Sequence, residues 1–389
     1  MGTIVSCGIY EITDDRNVGG GALGGMGGGL SQLPVCYVTA FEYQKDYNWR
    51  SDQERETVKC SLIVYADEVP IMKLPVGSAY EIGSDPDMHR ILQRHLYTDY
   101  STESETIIKK DGVELYRYSG REAICGMEIM GEDIYALGQS RTGQGFSYRR
   151  NGEVVLKREY ATVIGRLIND NGSLCFAFCE PIQNADRPVS RYYSSVDGRI
   201  SQVAVREDIK TIWDILVCQN ETIYVASLVG FDVPVLCVGE KMTALEMPSG
   251  ASLLSCGVFK TGDRIGVEGV CQMHPGVRQN IVWVDGAVLS CFVGVDSISA
   301  LDTYDDGVFC AMNPLSGSQS GLLYRSGEGM AMPKGYAVMG IDAVRVIDGI
   351  MYVGLSSIDG RKPLIWKDGV VDSLDINGYI SSIYEEPQY

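Results

Sequence analysis

The sequence predicts an all-β fold, a β-propeller of eight four-stranded blades, on three observations. A two-residue turn flanked by alternating apolar residues recurs along the chain, and a second polar turn falls inside most intervals. No window holds a sustained 3.6-residue apolar period, apart from a weak one in "PDMHRILQRHL", residues 86–96.

The recurring turn is found in "VYADEVPIM", "IKKDGVELY", "YRRNGEVVL", "SSVDGRISQ", "LCVGEKMTA", "VWVDGAVLS", "YRSGEGMAM" and "IWKDGVVDS". Its first residues are Ala66, Asp111, Asn151, Asp197, Gly239, Asp285, Gly327 and Asp368, spaced by 45, 40, 46, 42, 46, 42 and 41 residues. A steady period in the forties marks a repeat architecture. Two-residue hairpin loops need positive φ at their centre, which Asp-Gly and Asn-Gly accept and most dipeptides do not. Between these turns, stretches such as "IGRLINDNGSLCFAFC" and "AVRVIDGIMYVGL" read as a further hairpin, so each period supplies four short antiparallel strands. Units of this kind bury their sheets by stacking radially, which favours a propeller over a solenoid. Seven blades is the alternative, with the irregular first unit as an appendage.

Closure of the ring is expected from pairing of terminal strands. "NGYISSIYEE", residues 377–386, and "TIVSCGIYEI", residues 3–12, compete for the innermost position of the first blade. The C-terminal segment is favoured, because the Gly-rich "NVGGGALGGMGGGL" would tether Thr3 to Ile12 loosely. The chain divides accordingly into an N-terminal strand and Gly-rich tether, residues 1–33, and a propeller domain, residues 34–389.

Composition narrows the function classes. With 22% charged and 45% hydrophobic residues, the 389-residue chain has the balance of a folded globular protein. A formal net charge of -18 repels phosphate backbones and anionic lipid, which speaks against nucleic acid as a partner. No run approaches the roughly 18 apolar residues of a membrane span. All but one of the twelve cysteines sit in strand-like apolar runs such as "SLCFAFC", the setting of free buried thiols rather than of a disulfide framework. That reading favours a reducing compartment, as does a start without a secretory signal. "MGTIVSC" also matches a Gly2 acylation pattern with Cys7 as a second site, and Ser6-Cys7 suits a trimmed lipoprotein signal; an ordinary N-terminus is the simplest reading.

The succession of an "IYVASL"-like strand, "LIWKDG" and "VVDSL" resembles uncharacterised β-propeller repeat proteins of gut Bacteroidetes, from about Cys36 onward. The resemblance concerns fold and implies no catalytic residues. Many of those proteins are surface or secreted, which implies a cell-surface or periplasmic setting.

Motifs for cofactor or metal chemistry are poorly matched. Gly19, Gly21 and Gly24 satisfy G-x-G-x-x-G, but more Gly and "SQLP" follow where a dinucleotide site needs a helix. The three His residues lie near no Cys pair, and Cys175 with Cys179 is not a C-x-x-C. "SSIDGRKPLIW" and "SSVDGR" lack the spacing of a sialidase Asp-box, and no G-x-S-x-G elbow occurs. Neither a cofactor nor a metal is expected.

Binding residues are expected in long loops and in the central channel. The insertion "FEYQKDYNWRSDQERET" offers Tyr43, Tyr47, Trp49 and Arg50, residue types enriched in hot spots and able to stack on sugars. Other candidates are Arg187 and Arg191 in "EPIQNADRPVSRYY", Trp213 and Asp214 in "REDIKTIWD", and His274 and Arg278 in "QMHPGVRQ". Glu128, Arg166, Asp214, Asp302 and Arg345 stand as polar residues in apolar strand runs and are expected to line the channel or to pair across blades. The expected function is a non-enzymatic module binding a glycan or protein. A glycoside hydrolase or lyase with carboxylates at the channel mouth is the alternative, and a structural subunit of a surface or phage assembly a third.

Overall fold

The structure, a computed structural model, describes residues 36–385 apart from 46, 48–59, 77–88, 93–94, 102–103, 142–144, 183–189, 204–208, 219–220, 231–232, 275–276, 315–319, 326, 341 and 358–361. All regular elements among the described residues are strands, in eight antiparallel sheets forming a β-propeller. The expected N-terminal strand and Gly-rich tether lie outside the described residues.

From the axis outward, blade 1 consists of Gly378–Glu385, Cys36–Tyr43, Cys60–Ala66 and Val69–Val76. Blade 2 runs from His89–Leu92 to Val113–Ser119, blade 3 from Glu122–Met130 to Glu153–Arg158, and blade 4 from Thr162–Asp170 to Arg199–Gln202. Blade 5 runs from Ile209–Val217 to Lys241–Ala244, blade 6 from Ser252–Thr261 to Ala287–Val293, and blade 7 from Val295–Tyr304 to Glu328–Ala331. In blade 8 the innermost strand is broken into Tyr336–Ala337 and Val344–Ile347, both paired with Ile350–Ser357; Leu364–Lys367 and Val370–Ser373 follow. Within the weak helical period of residues 86–96, His89–Leu92 and the residues from His95 onward are paired strands of blade 2, Arg90 opposite Tyr97 and Ile91 opposite Leu96.

The C-terminal strand closes the ring, pairing with Cys36–Tyr43 from Cys36 opposite Glu385 to Glu42 opposite Gly378. The hydroxyls of Thr39 and Ser381 lie 3.0 Å apart inside this seam, and Ser381 also donates to the Thr39 carbonyl. Two glycines let backbones meet here. A Cβ on Gly378 would fall 1.7 Å from the Phe41 carbonyl oxygen, and one on Gly340 would fall 1.8 Å from that of Ser381.

Apolar burial is distributed over eight interblade seams rather than one core. Alternation on the second strands produces this arrangement, because successive side chains leave opposite faces of a sheet. In Ser173–Pro181, Leu174, Phe176 and Phe178 pack on Phe146 and Tyr148 of blade 3, while Cys175 and Ala177 pack on Tyr224 and Ala226 of blade 5. This strand thus gives large rings to one seam and small residues to the next. Ile365 and Leu374 of blade 8 meet Val38, Ile63 and Ile380 of blade 1, so the last seam is built like the others. Cysteines 36, 60, 175, 218, 237, 271 and 310 are buried, and none of the described cysteines is in a disulfide.

The repeated turns connect the third and fourth strands. Asp111, Asn151, Asp197, Asp285 and Asp368 have φ between 42 and 53°, followed by Gly at φ between 79 and 93°. In the first unit these conformations fall on Asp67 and Glu68, one residue beyond Ala66, at φ 44 and 70°. The acidic residue also does more than accept positive φ. Asp111, Asp197, Asp285 and Asp368 accept through Oδ1 from the backbone N–H that opens the second strand, at Leu96, Leu174, Ile265 and Met351. The turn N–H donates in return to the carbonyl of that same residue in each case. Two hydrogen bonds therefore pin every such turn to its own sheet.

Candidate binding site in the central channel

The innermost strands of blades 3 to 7 all slip register midway. The slips fall between Ile124 and Gly126, Ile164 and Ile168, Ile212 and Asp214, Leu253 and Ser255, and Ile298 and Ala300. A bulge leaves a residue unpaired, bends its strand and re-aims the side chains around it. The innermost strand of blade 8 is interrupted as well, and a cavity of about 540 Å³ lies among blades 4 to 8. Ile164, Ile168, Ile215, Phe259, Ile298 and Leu301 give it apolar walls, and Arg166, Asp214, Lys260, Glu268, Ser299, Asp342 and Arg345 bring polar groups. That volume and mixed lining are typical of small-molecule pockets.

Two carboxyls approach the cavity around the Gly257-Val258 segment. Asp214, on the innermost strand of blade 5, accepts from the Val258 backbone N–H at 2.8 Å. Glu268 sits on the second strand of blade 6 directly opposite Gly257. A Cβ on Gly257 would lie 2.9 Å from Glu268 Oε1, so the missing side chain is what lets a second-strand carboxyl reach the channel. Burial raises the Asp214 pKa against the pull of the Val258 and Ile215 N–H groups. Burial, and then the charge of Asp214, push Glu268 up to about 7. The Cys256 thiol beside them is pushed up by burial and by both carboxylates, which keeps it unreactive.

The cations of the lining are engaged elsewhere. Arg345 meets Asp302 at 3.2 Å and Asp342 at 3.8 Å, and Arg166 meets the same Asp342 oxygen at 3.4 Å. Blades 4 and 8 are opposite in a ring of eight, so the Arg166–Asp342 contact spans the channel. Although burial works against its charge, Asp302 and Asp342 hold the Arg345 proton more firmly than usual. Lys260 pairs with Glu221 at 3.5 Å. Asp342 and Arg345 also border a second cavity of about 310 Å³, with Asp302, Tyr384 and Glu385.

The residues singled out in the sequence are not brought to one place. Arg166, Asp214 and Arg345 line the larger cavity and Asp302 the smaller, while Glu128 lies half-buried on the innermost strand of blade 3. Trp213 and Asp214 belong to that strand of blade 5 and not to a loop; the Trp213 indole donates to Ser227 Oγ at 2.9 Å. Tyr43 is buried in the seam between blades 1 and 2, its ring 5.4 Å from that of half-buried Tyr47, which removes its face from any stacking partner. Arg191 is exposed opposite Glu180, Arg278 is exposed opposite Gln272, and His274 ends the second strand of blade 6. Trp49, Arg50 and Arg187 lie outside the described residues. Tyr47, Arg191 and Arg278 flank connections between second and third strands, which antiparallel order places on the face opposite the Asp-Gly turns. Glu268, Asp342, Lys260 and Ser299 were not singled out. Among the described residues, no group of three or more His, Cys, Asp and Glu side chains could hold a metal ion.

An eight-bladed β-propeller closed by its C-terminal strand is the class that this fold defines. No family model and no curated protein matches the chain. Among solved structures, it is similar to a dihydro-heme d1 dehydrogenase in complex with DHE, at TM-score 0.51 and 11% identity, covering 89% of this chain and 74% of the other. It also matches the β-propeller domain of the Trilobed protease from Pyrococcus furiosus, at TM-score 0.44 and 12% identity, covering 89% and 95%. The likeness concerns fold alone. No helix among the described residues is long and apolar enough to cross a membrane.

Proposed function

We propose that the protein is a non-enzymatic interaction module that holds a small ligand in the central channel. One observation carries this reading. The innermost strands are bulged in blade after blade, and the cavity beside them is lined by both apolar walls and half-buried charges. The exposed face bearing Arg191 and Arg278 suits a protein or glycan partner as a second, outer contact. Ser299→Trp, which places an indole at the cavity wall, tests the channel reading. Loss of small-molecule binding with an unchanged circular dichroism spectrum is expected, and unaltered binding would reject it.

A hydrolase reading is supported by one specific feature. Burial raises the pKa of both carboxyls and brings Glu268 to about 7, so Glu268 keeps its proton to near neutrality beside Asp214, as a general acid requires. Turnover of a glycoside that disappears in Glu268→Gln would favour this reading over binding alone.

A further inference from the structure

The chemical class of the ligand follows from the way charge is matched around the cavity, on the reading that the channel is the binding site. Each cation in the lining has an acidic partner: Arg166 and Arg345 share Asp342, Arg345 also holds Asp302, and Lys260 holds Glu221. Asp214 and Glu268 remain. Among the described residues neither forms an ion pair, and the hydrogen bonds that Asp214 accepts come from backbone N–H groups. An anionic ligand would meet two carboxyls and find no cation uncommitted. A neutral one would leave Asp214 with backbone N–H groups alone and the ionised form of Glu268 with no counter-charge.

We propose that the channel takes an organic cation, a protonated amine with an apolar body, whose ammonium group is received by Asp214 and Glu268 while its body lies along Ile164, Ile215, Ile298 and Leu301. A cavity of about 540 Å³ accommodates such a molecule with room for water. The site is the walled cavity and not the acid pair alone: the apolar walls give a hydrocarbon body a surface to pack on, and the pair supplies charge to one end. A bound ammonium favours the ionised form of Glu268, so binding releases a proton and strengthens as pH rises through about 7. Asp214 and the Cys256 thiol are the titratable neighbours on this wall, with Lys260, Arg166, Asp342 and Arg345 on the rest of the lining. The net charge of -18 raises the local concentration of cations around the molecule.

Benzylamine, 2-phenylethylamine and cyclohexylamine, each paired with its neutral alcohol counterpart, are suitable probes, read by saturation-transfer NMR and calorimetry at pH 8. Amines are expected to bind the wild type about tenfold or more better than the alcohols. Asp214→Asn with Glu268→Gln is expected to erase that preference, and Glu268→Gln alone to reduce it, which keeps the test open if the double variant fails to fold. Ser299→Trp is expected to bind neither class. Equal binding of amines and alcohols by the wild type would overturn the cation assignment while leaving the channel reading standing. Binding of no probe, or binding unchanged in Ser299→Trp, would overturn both.

Discussion

Glu268→Gln is a substitution whose effect on stability can be worked out from the structure. In the unfolded chain a Glu ionises near 4.5, whereas burial and Asp214 bring Glu268 to about 7 in the fold. Between those values the folded protein keeps a proton that the unfolded chain has released. Stability therefore falls as pH rises across this window and levels off above about 7. At about 1.4 kcal/mol per pH unit, the ionised side chain costs the fold about 3 kcal/mol above the window. Gln has the same shape and does not titrate, so the variant escapes the cost. Urea denaturation at pH 5, 6, 7 and 8 measures the difference between variant and wild type, and Asp214, Cys256, Lys260, Arg166, Asp342 and Arg345 are common to both proteins. The variant is expected to gain about 2 to 3 kcal/mol relative to wild type between pH 5 and pH 8. A difference that stays flat with pH would refute the placement of Glu268 in a desolvated site next to Asp214.

The seams and turns supply further tests. Phe176→Ala, in the ring cluster between blades 3 and 4, is expected to cost about 3 to 5 kcal/mol in chemical denaturation, whereas Cys175→Ala on the opposite face costs about 1. Gly378→Ala forces a methyl onto the Phe41 carbonyl and is expected to lower the thermal midpoint and raise hydrogen exchange in residues 36–43 and 378–385 first. Asp368→Asn keeps positive φ and the acceptor for the Met351 N–H but loses the ion pair with Arg325, so a change of less than about 1 kcal/mol is expected; Asp368→Ala loses all three and is expected to cost about twice as much or more.

The architecture was legible because propeller repeats write their punctuation into local sequence. Asp-Gly and Asn-Gly can be read as positive-φ turns from residue type alone, and alternation in "SLCFAFC" shows which residues leave which face. At Ala66 the sequence pattern points one residue early, because Asp67-Glu68 adopts the same conformations without a Gly to mark them. The hairpin at residues 89–98 read as weakly helical because short apolar runs carry too few residues to separate the two periods. The second role of the turn carboxylates, gripping the N–H of a strand some 15 to 23 residues away, is a long-range contact that spacing does not reveal.

The channel was only partly legible for a related reason. Asp214, Arg166 and Arg345 announced themselves as charges within innermost strands. Glu268 belongs to a second strand, where a charge reads as a solvent-facing residue. It reaches the cavity because its cross-strand partner is Gly257, and that partnership is fixed by register and not by nearness in sequence. The isolated Glu between glycines in "RIGVEGVC", set against the Gly of "SCGVF", is the signal that could have found it. Trp213 falls within an innermost strand, at its bulge, rather than in a loop, and Tyr43 lies in a seam, its ring packed on Tyr47 and Tyr379.

The claim that the cavity between blades 4 and 8 receives a ligand is tested most directly by native mass spectrometry. Wild-type protein and Ser299→Trp are each equilibrated with one mixture of cationic, neutral and anionic small molecules of matched size. Retention of cationic species by the wild type and of none by the variant is predicted; the same species retained equally by both proteins would contradict the account.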